Sequence, residues 1–202
     1  MIQHLFEVPL YEVKLDLDTK NLEQFCKKHQ TIDPGRELSN VGGYQSNALN
    51  LSEPILSPLL KQIQIHSSKF AKEFNNNEQN LSNIWFNISL FGNSNFSHNH
   101  PHSDISGVYY VKTPNECGDI VFEHPAIDYL SFYIGMNASQ TTAALPSLPE
   151  DFNSYNSEVW FKPAVENTLY LFPSWLKHRV EPNKNKNEER ISLSFNTTEI
   201  KL

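Results

Sequence analysis

Apolar and polar residues alternate along residues 84–91, the stretch IWFNISLF. In an extended chain one face would carry Ile84, Phe86, Ile88 and Leu90, and the other would carry Trp85, Asn87 and Ser89. Such alternation is typical of a β-strand whose two faces differ in polarity. Short apolar runs follow at residues 105–111, 118–125, 168–182 and 190–200. The pattern therefore predicts a series of six or more short antiparallel strands.

The N-terminal part of the chain has a different pattern. Residues 4–16 alternate loosely around Pro9, which predicts an edge strand because proline cannot donate a hydrogen bond to a neighbouring strand. Residues 18–30 and 57–74 carry apolar side chains at helical spacing, and Ser57 has the properties of a helix N-cap. Helices followed by many short strands predict a mainly β fold with N-terminal helices (α+β), arranged as a jelly roll of two sheets.

Length and composition support a single folded unit. At 202 residues the chain is long enough for one domain with a proper core. Aromatic residues make up 12% of it, which is typical of a β-rich core and not of a disordered chain. We therefore expect one domain over residues 1–202, with a strand and supporting helices in residues 1–83 and the β core in residues 84–200.

Charge and cysteine content narrow the function classes. The formal net charge is −7, which argues against nucleic-acid binding, since contact with a phosphate backbone needs a surplus of Lys and Arg. The sequence has no N-terminal leader pattern and no apolar run long enough to cross a membrane, so we expect a cytoplasmic protein. Cys26 and Cys117 stand apart without metal-binding spacing, and we expect both to be reduced.

The stretch HNHPHSD is the first candidate for chemistry. It places His98, His100, His102 and Asp104 at alternate positions, which share one face of an extended strand. Histidine and carboxylate ligands with open coordination positions are what non-haem iron(II) oxygenases use, although a histidine-rich surface turn has the same composition. Pro101 tends to mark the end of a strand, so the sheet should hold His98 and His100 in place. His102 and Asp104 should then lie in the following turn.

A second group of polar residues lies near the C-terminus. His178 falls near a strand end, and Arg190 opens the last predicted strand 190 − 178 = 12 residues later. One face of that strand carries Arg190, Ser192, Ser194 and Asn196. An arginine fork with a nearby serine hydroxyl can clamp a carboxylate, whereas a surface arginine paired with a glutamate is the simpler alternative. Combined with the upstream histidines, these residues favour a metal site beside an anion site.

Five short motifs follow GGYQS along the chain. In order they are H-x-H-P, SGVYYV, G-x-I-x-F, LFPSWLKH and R-x-S-x-S-F-N. Together they resemble the iron(II)- and 2-oxoglutarate-dependent oxygenases, specifically a bacterial and phage branch related to prolyl hydroxylases. The resemblance covers about residues 40–200. It implies a double-stranded β-helix, and an enzyme that hydroxylates a substrate while converting 2-oxoglutarate to succinate and CO2.

The resemblance also implies roles for individual residues. Fe(II) would be bound by 2-oxoglutarate through its 1-carboxylate and 2-keto oxygen, and the far carboxylate would be held by Arg190 with Ser192. We add Asn87, on the polar face of its strand, to this predicted cofactor site. Most members of the family use a His-x-Asp pair with a distal histidine.

In this chain the second position of that pair is His100. We favour His98, His100 and His178 as the metal ligands. Asp104 is the alternative third ligand, in a set with His102, or a partner that orients an imidazole. A ligand at Asp104 would leave too few residues for a turn, because Ile105 already begins the next apparent strand.

Two other functions remain open at this point. One is a cupin-like metalloenzyme with three histidine ligands that does not use 2-oxoglutarate, against which Arg190 argues. The other is a non-catalytic metal-binding β-sandwich.

Residues 126–157 have mixed polarity without a clear period, and we expect them to form a mobile cover over the site. The substrate, either a small molecule or a protein, is not indicated by any motif, and a homodimer is possible.

Overall fold

The computed structural model describes residues 7–74, 78–128 and 157–200. Helix α1 spans Thr19–Gln30 and helix α2 spans Ser57–Ala71, and short 3-10 helices span Pro54–Leu56 and Lys72–Phe74. The strands are β1 (Tyr11–Lys14), β2 (Asn40–Val41), β3 (Tyr44–Gln45), β4 (Gln79–Ser89), β5 (Ser94–His98), β6 (Ile105–Lys112), β7 (Ile120–Glu123), β8 (Val159–Lys162), β9 (Thr168–Pro173), β10 (His178–Val180) and β11 (Arg190–Glu199).

The strands form two antiparallel sheets. The larger has six strands in the order β1-β9-β6-β11-β4-β3, and the smaller has five in the order β2-β5-β10-β7-β8. Strands distant in sequence are neighbours in both sheets, as in a jelly roll, so the predicted fold class is confirmed. Strand β1 follows Pro9 and lies at a sheet edge, as the proline predicts. Strands β1 to β3 show that the N-terminal segment also contributes to both sheets.

The two helices cover the outer face of the larger sheet. Helix α1 begins after Asp18, whose side chain accepts a hydrogen bond from the backbone N–H of Asn21. The buried side chains of the helices, Leu22, Cys26, Leu59, Ile63 and Phe70, pack against one face of the sheet, including Ile84, Phe86, Tyr109, Leu193 and Phe195. Because strand side chains alternate, the other face of the same strands is free to line the space between the sheets.

A second apolar cluster closes one end of that space. It consists of Val108, Tyr110, Ile120, Phe122, Tyr170, Phe172 and Leu176. Polar residues of β4 and β11 line the remainder, as their alternation predicts. The fold thus encloses a cavity that is apolar on one side and polar on the other.

The structure corrects three local expectations. Ser57 does not cap α2, because a 3-10 turn precedes the helix and Ser57 itself has helical backbone angles. Leu90 lies beyond the end of β4 and is 59% exposed, so the apolar face of that strand stops at Ile88. His178 is the first residue of β10, and not a residue near the end of one long strand that starts at 168, because β9 stops at Pro173. The predicted cover over 126–157 falls almost wholly outside the described residues.

The loop between α1 and β3 is anchored by a carboxylate. Asp33 accepts hydrogen bonds from the backbone N–H of Gly35, from Tyr44 Oη at 3.0 Å and from the backbone and side chain of Asn47. Burial acts to raise the pKa of Asp33, but these bonds outweigh it and lower the pKa to about 2. The carboxylate is therefore ionised at neutral pH and fixes the loop that carries Arg36.

Within the described residues, no helix has both the length and the apolar character needed to cross a membrane. Cys26 and Cys117 are both buried and free.

We expect Gly107→Ala to destabilise the fold by about 1–3 kcal/mol, the usual range for overpacking. Gly107 pairs with Phe195 across β6 and β11, and an added Cβ would collide with the Phe195 ring, with Leu171 and with the carbonyl oxygen of Tyr170. Chemical denaturation measures the change in the free energy of unfolding. Gly92→Asn is the control, because nothing lies within 4 Å of an added Cβ there and asparagine tolerates its φ of +81°. Equal effects of the two substitutions would contradict this account of β6.

Candidate metal centre and anion cavity

Three histidines converge at the mouth of the cavity. His98 ends β5, and His178 begins β10 directly opposite it in the antiparallel pair. His100 lies two residues beyond the end of β5, where its backbone N–H donates to the carbonyl oxygen of Ser174 at 2.9 Å. One ring nitrogen from each histidine lies within 4.8 Å of those from the other two. Two strands and one anchored loop therefore bring three metal-ligand atoms together.

Hydrogen bonds fix the orientation of each imidazole. His98 Nδ1 lies 2.8 Å from the carbonyl oxygen of Phe96, and His178 Nδ1 lies 3.0 Å from that of Leu176. His100 Nδ1 lies 2.6 Å from Asn196 Oδ1. Carbonyl oxygens only accept, so each Nδ1 carries the proton and each Nε2 keeps a free lone pair. This is the usual arrangement of metal-binding histidines.

The environment keeps the three imidazoles neutral. Burial lowers the pKa of His98, lowers that of His100 to about 4, and lowers that of His178 well below the ordinary value of histidine. The mutual proximity of the three rings lowers the pKa of His100 and His178 further. Neutral imidazole is the form that binds metals, so the site is ready for a divalent cation at neutral pH.

An arginine lies deep in the same cavity. Arg190 is 2% exposed and donates from one terminal nitrogen to the carbonyl oxygens of Cys117, Gly118 and Glu181. Its other terminal nitrogen lies 3.3 Å from Ser89 Oγ. Burial lowers the pKa of Arg190, yet arginine does not lose its proton in proteins. Among the described residues no carboxylate lies within ion-pair distance of it, although the charge of Asp119 acts on it from farther away and raises its pKa. This buried charge therefore lacks a direct counter-ion.

Polar groups surround the guanidinium. Ser192 is 7% exposed, lines the cavity with Arg190, and pairs with Asn87 on one side and Tyr110 on the other. Asn87 donates to Ser194 Oγ at 3.4 Å, while its Oδ1 is buried without a partner. Tyr110 is 1% exposed, and burial raises its pKa, so its hydroxyl stays protonated and can donate. These groups can together hold an anion such as a carboxylate.

The structure separates the predicted residues into two sets. His98, His100, His178, Asn87, Arg190 and Ser192 all line the cavity. His102 is exposed in the turn after Pro101 and has a φ of 67°. Asp104 is also exposed, and its carboxylate accepts a hydrogen bond from the backbone N–H of Glu199 at 2.6 Å. Neither His102 nor Asp104 belongs to the group of convergent metal-ligand atoms.

Three residues near the site were not predicted. Tyr110 lies on the cavity face of β6, and strand alternation within SGVYYV would have identified it. The ring of Trp85 lies 5.7 Å from that of His100 and covers one side of the metal site. Asn196 was placed on the correct face, but its bond to His100 joins residues 96 positions apart and has no signal in the sequence.

Comparison with known proteins identifies the class. Residues 83–196 match the model of the family described as "Putative 2OG-Fe(II) oxygenase". This match covers more than half of the chain and includes every residue of the three-histidine group and Arg190. The protein belongs to this family of 2-oxoglutarate- and iron(II)-dependent oxygenases. The search of curated protein sequences gives no match.

Solved structures show the same fold at low identity. A Pseudomonas putida prolyl-4-hydroxylase is 12% identical, with coverage of 95% of this chain and 93% of the other and a TM-score of 0.64. The viral collagen prolyl hydroxylase of Paramecium bursaria Chlorella virus-1, in complex with 2-oxoglutarate, is 13% identical. The match covers 95% of this chain and 96% of the other, with a TM-score of 0.57. HygX from Streptomyces hygroscopicus, with nickel and 2-oxoglutarate bound, is 9% identical. The match covers 95% of this chain and 83% of the other, with a TM-score of 0.61. The double-stranded β-helix is therefore confirmed.

The side chains of this site fit both cofactors of the family. Three neutral imidazoles leave coordination positions open within the described part of the chain, as a chelating ligand requires. A buried guanidinium without a direct counter-ion and the hydroxyl donors of Ser192 and Tyr110 lie in the same cavity. Both alternative functions, a metalloenzyme that does not use 2-oxoglutarate and a non-catalytic sandwich, are set aside by the family match.

We expect Asn196→Ala to weaken metal binding about 10- to 100-fold without changing its stoichiometry, as is typical when the partner of a ligating histidine is lost. Asn196 accepts from His100 and from Ser106 Oγ, and its own amide donates to Asn83. Titration with cobalt(II) measures the affinity. Thr198→Val is the control, because Thr198 lies two residues further along β11 and, among the described residues, its side chain bonds to Ser82 at the surface. It should bind cobalt(II) like the wild type. Unchanged affinity in Asn196→Ala would show that the bond does not position His100.

Proposed function

We propose that this protein is a hydroxylase that binds Fe(II) through His98, His100 and His178 and binds 2-oxoglutarate beside the metal. The observation that carries the proposal is the placement of three neutral imidazoles and one unpaired buried arginine in a single cavity. A metal-chelating dicarboxylate meets both requirements at once, because one end can bind the metal while the other neutralises the guanidinium.

The residues around Arg190 hold the far carboxylate of 2-oxoglutarate. Arg190 supplies the charge, and the carbonyl oxygens that it contacts fix the direction of its fork. Ser192 and Tyr110, which are neighbours across β11 and β6, add hydroxyl donors. Asn87 lies on the other side of Ser192 and adds a polar amide. Because these side chains are buried, little solvent competes with the ligand for their hydrogen bonds.

The remaining residues orient the ligands and exclude water. Bound Fe(II) and 2-oxoglutarate supply the oxidising chemistry, in which 2-oxoglutarate and O2 yield succinate and CO2 and a substrate C–H bond is hydroxylated. Asn196 holds the ring of His100, and the backbone carbonyls of Phe96 and Leu176 hold the other two histidines. Phe172 packs edge-on against His178 with ring centroids 4.6 Å apart and shields its inner side.

We also propose a cytoplasmic location, which suits the two buried free cysteines. The substrate is either a small molecule or a protein segment that reaches the metal from the open side of the cavity.

The metal ligands are tested by alanine substitution. His98→Ala, His100→Ala and His178→Ala should each abolish binding of Fe(II) at micromolar metal, because two imidazoles alone form a weak site. Asp104→Ala should retain stoichiometric binding, since its carboxylate bonds to the backbone of Glu199. Anaerobic Fe(II) titration measures both. Loss of the metal in Asp104→Ala with retention in His98→Ala would instead indicate a set of His102, Asp104 and His178.

The cofactor site is tested by Arg190→Leu, which should weaken 2-oxoglutarate binding by about 2–5 kcal/mol, the usual cost of removing one side of a buried charge pair. Calorimetry on nickel-loaded protein measures the affinity, and retained nickel binding shows that the variant is folded. Arg179→Leu is the matched control, because Arg179 is partly exposed and lies 3.7 Å from Glu123. Unchanged 2-oxoglutarate affinity in Arg190→Leu, or binding without metal, would contradict the proposal.

A further inference from the structure

We propose that Arg36 and Gln45, at the edge of the larger sheet, form a subsite for the substrate that binds a carboxylate with an adjacent N–H group. Such a group occurs at the C-terminus of a peptide or in an N-acylated amino acid. The inference rests on the proposed function, because it assigns a substrate class to that site. Neither residue takes part in holding the metal or 2-oxoglutarate.

Arg36 carries a charge that no carboxylate among the described residues neutralises. Its guanidinium carbon lies 5.6 Å from the centroid of the Trp85 ring. Its Nε is buried without a hydrogen-bond partner, and in the described part of the chain no carboxylate forms an ion pair with it. The side chain as a whole is partly exposed, so its terminal nitrogens can be reached from solvent. Stacking on an indole presents the planar fork of arginine for bidentate binding of a carboxylate.

Gln45 offers the complementary acceptor. It is 3% exposed, and its Oε1 is buried without a partner. The backbone N–H of Arg36 donates to the carbonyl oxygen of Gln45 at 2.9 Å, so the two residues are neighbours. Gln45 also pairs with Asn87 across β3 and β4, which places both side chains on the cavity face. An unpaired acceptor beside an unpaired cation suits a ligand that has both a carboxylate and an N–H donor.

The unpaired groups are concentrated at this place. Five buried side-chain polar atoms lack a partner in the described part of the chain, and two of them belong to Arg36 and Gln45. A third belongs to Asn87, the cross-strand neighbour of Gln45 that we place beside 2-oxoglutarate. Buried polar groups are almost always hydrogen-bonded in native proteins, so a cluster of exceptions points to a missing ligand. GGYQS, the motif that contains Gln45, has no part in the metal or 2-oxoglutarate site.

The position suits a substrate and not the cofactor. Trp85 lies between the two regions, since its ring is 5.7 Å from that of His100 and also contacts Arg36. Ser39, three residues after Arg36, lines the cavity and accepts a hydrogen bond from Asn95. The loop that carries Arg36 therefore forms one rim of the cavity mouth. A ligand anchored there would extend past Trp85 towards the metal, whereas Arg190 lies in the buried interior.

The experiment compares two small probes on zinc-loaded protein saturated with 2-oxoglutarate, so that Arg190 is already occupied. N-acetyl-L-leucine has the carboxylate and the N–H, and N-acetyl-L-leucinamide lacks the charge. Ligand-observed NMR measures their affinities. We expect the acid to bind more tightly than the amide, and Arg36→Met to weaken the acid at least about tenfold with little effect on the amide. Arg36→Lys should restore part of the affinity.

Lys69→Met is the matched control, because Lys69 Nζ also lies 5.6 Å from the centroid of an aromatic ring, that of Tyr11, but on helix α2. It should bind the acid like the wild type. The inference is overturned if the wild type does not prefer the acid, or if Arg36→Met and Lys69→Met bind it equally well. Failure of 2-oxoglutarate to bind, with acid binding that still depends on Arg36, would overturn the proposed function and leave the subsite standing.

Discussion

The antiparallel pairing of β5 with β10 sets the geometry on which the candidate metal centre depends. Opposite residues of such a pair have neighbouring side chains, so the register that places His98 against His178 brings two imidazoles together. The third, His100, lies beyond the strand and is held by the carbonyl oxygen of Ser174 and by the side chain of Asn196. A shift of one residue in the register would turn one of the paired imidazoles away.

The cavity behind this centre is organised around a buried charge that no described carboxylate contacts directly. Burying a guanidinium is costly unless hydrogen bonds and an anion compensate for the lost hydration. Backbone carbonyls of Gly118 and Glu181 supply part of the compensation. We propose that 2-oxoglutarate supplies the remainder and that Arg190 thereby holds an anion deep in the cavity. In the proposed substrate subsite, Arg36 presents a similar unpaired charge in a more exposed place at the rim of the cavity.

Strand alternation predicted most of the site, because residues on one face of a strand meet the same environment. It placed Asn87 and Ser192 in the cavity. The expectation that the sheet holds both His98 and His100 was right only for His98, because β5 ends there and His100 lies beyond the strand, held by the carbonyl oxygen of Ser174. Strand alternation could not predict contacts between segments that are distant in sequence. The bond of Asn196 to His100 and the approach of Arg36 to Trp85 depend on how loops fold onto the sheets, and local sequence does not encode that. Ser57 failed as a cap because a 3-10 turn precedes it.

The central claim is that three histidines and no protein carboxylate bind Fe(II) and leave room for 2-oxoglutarate. X-ray absorption spectroscopy at the iron edge, on the anaerobic complex before and after addition of 2-oxoglutarate, tests it most directly. We expect scattering from three imidazoles in both states, with oxygen scatterers at a changed distance once the dicarboxylate binds. Scattering from only two imidazoles, or a spectrum that 2-oxoglutarate leaves unchanged, would contradict the account.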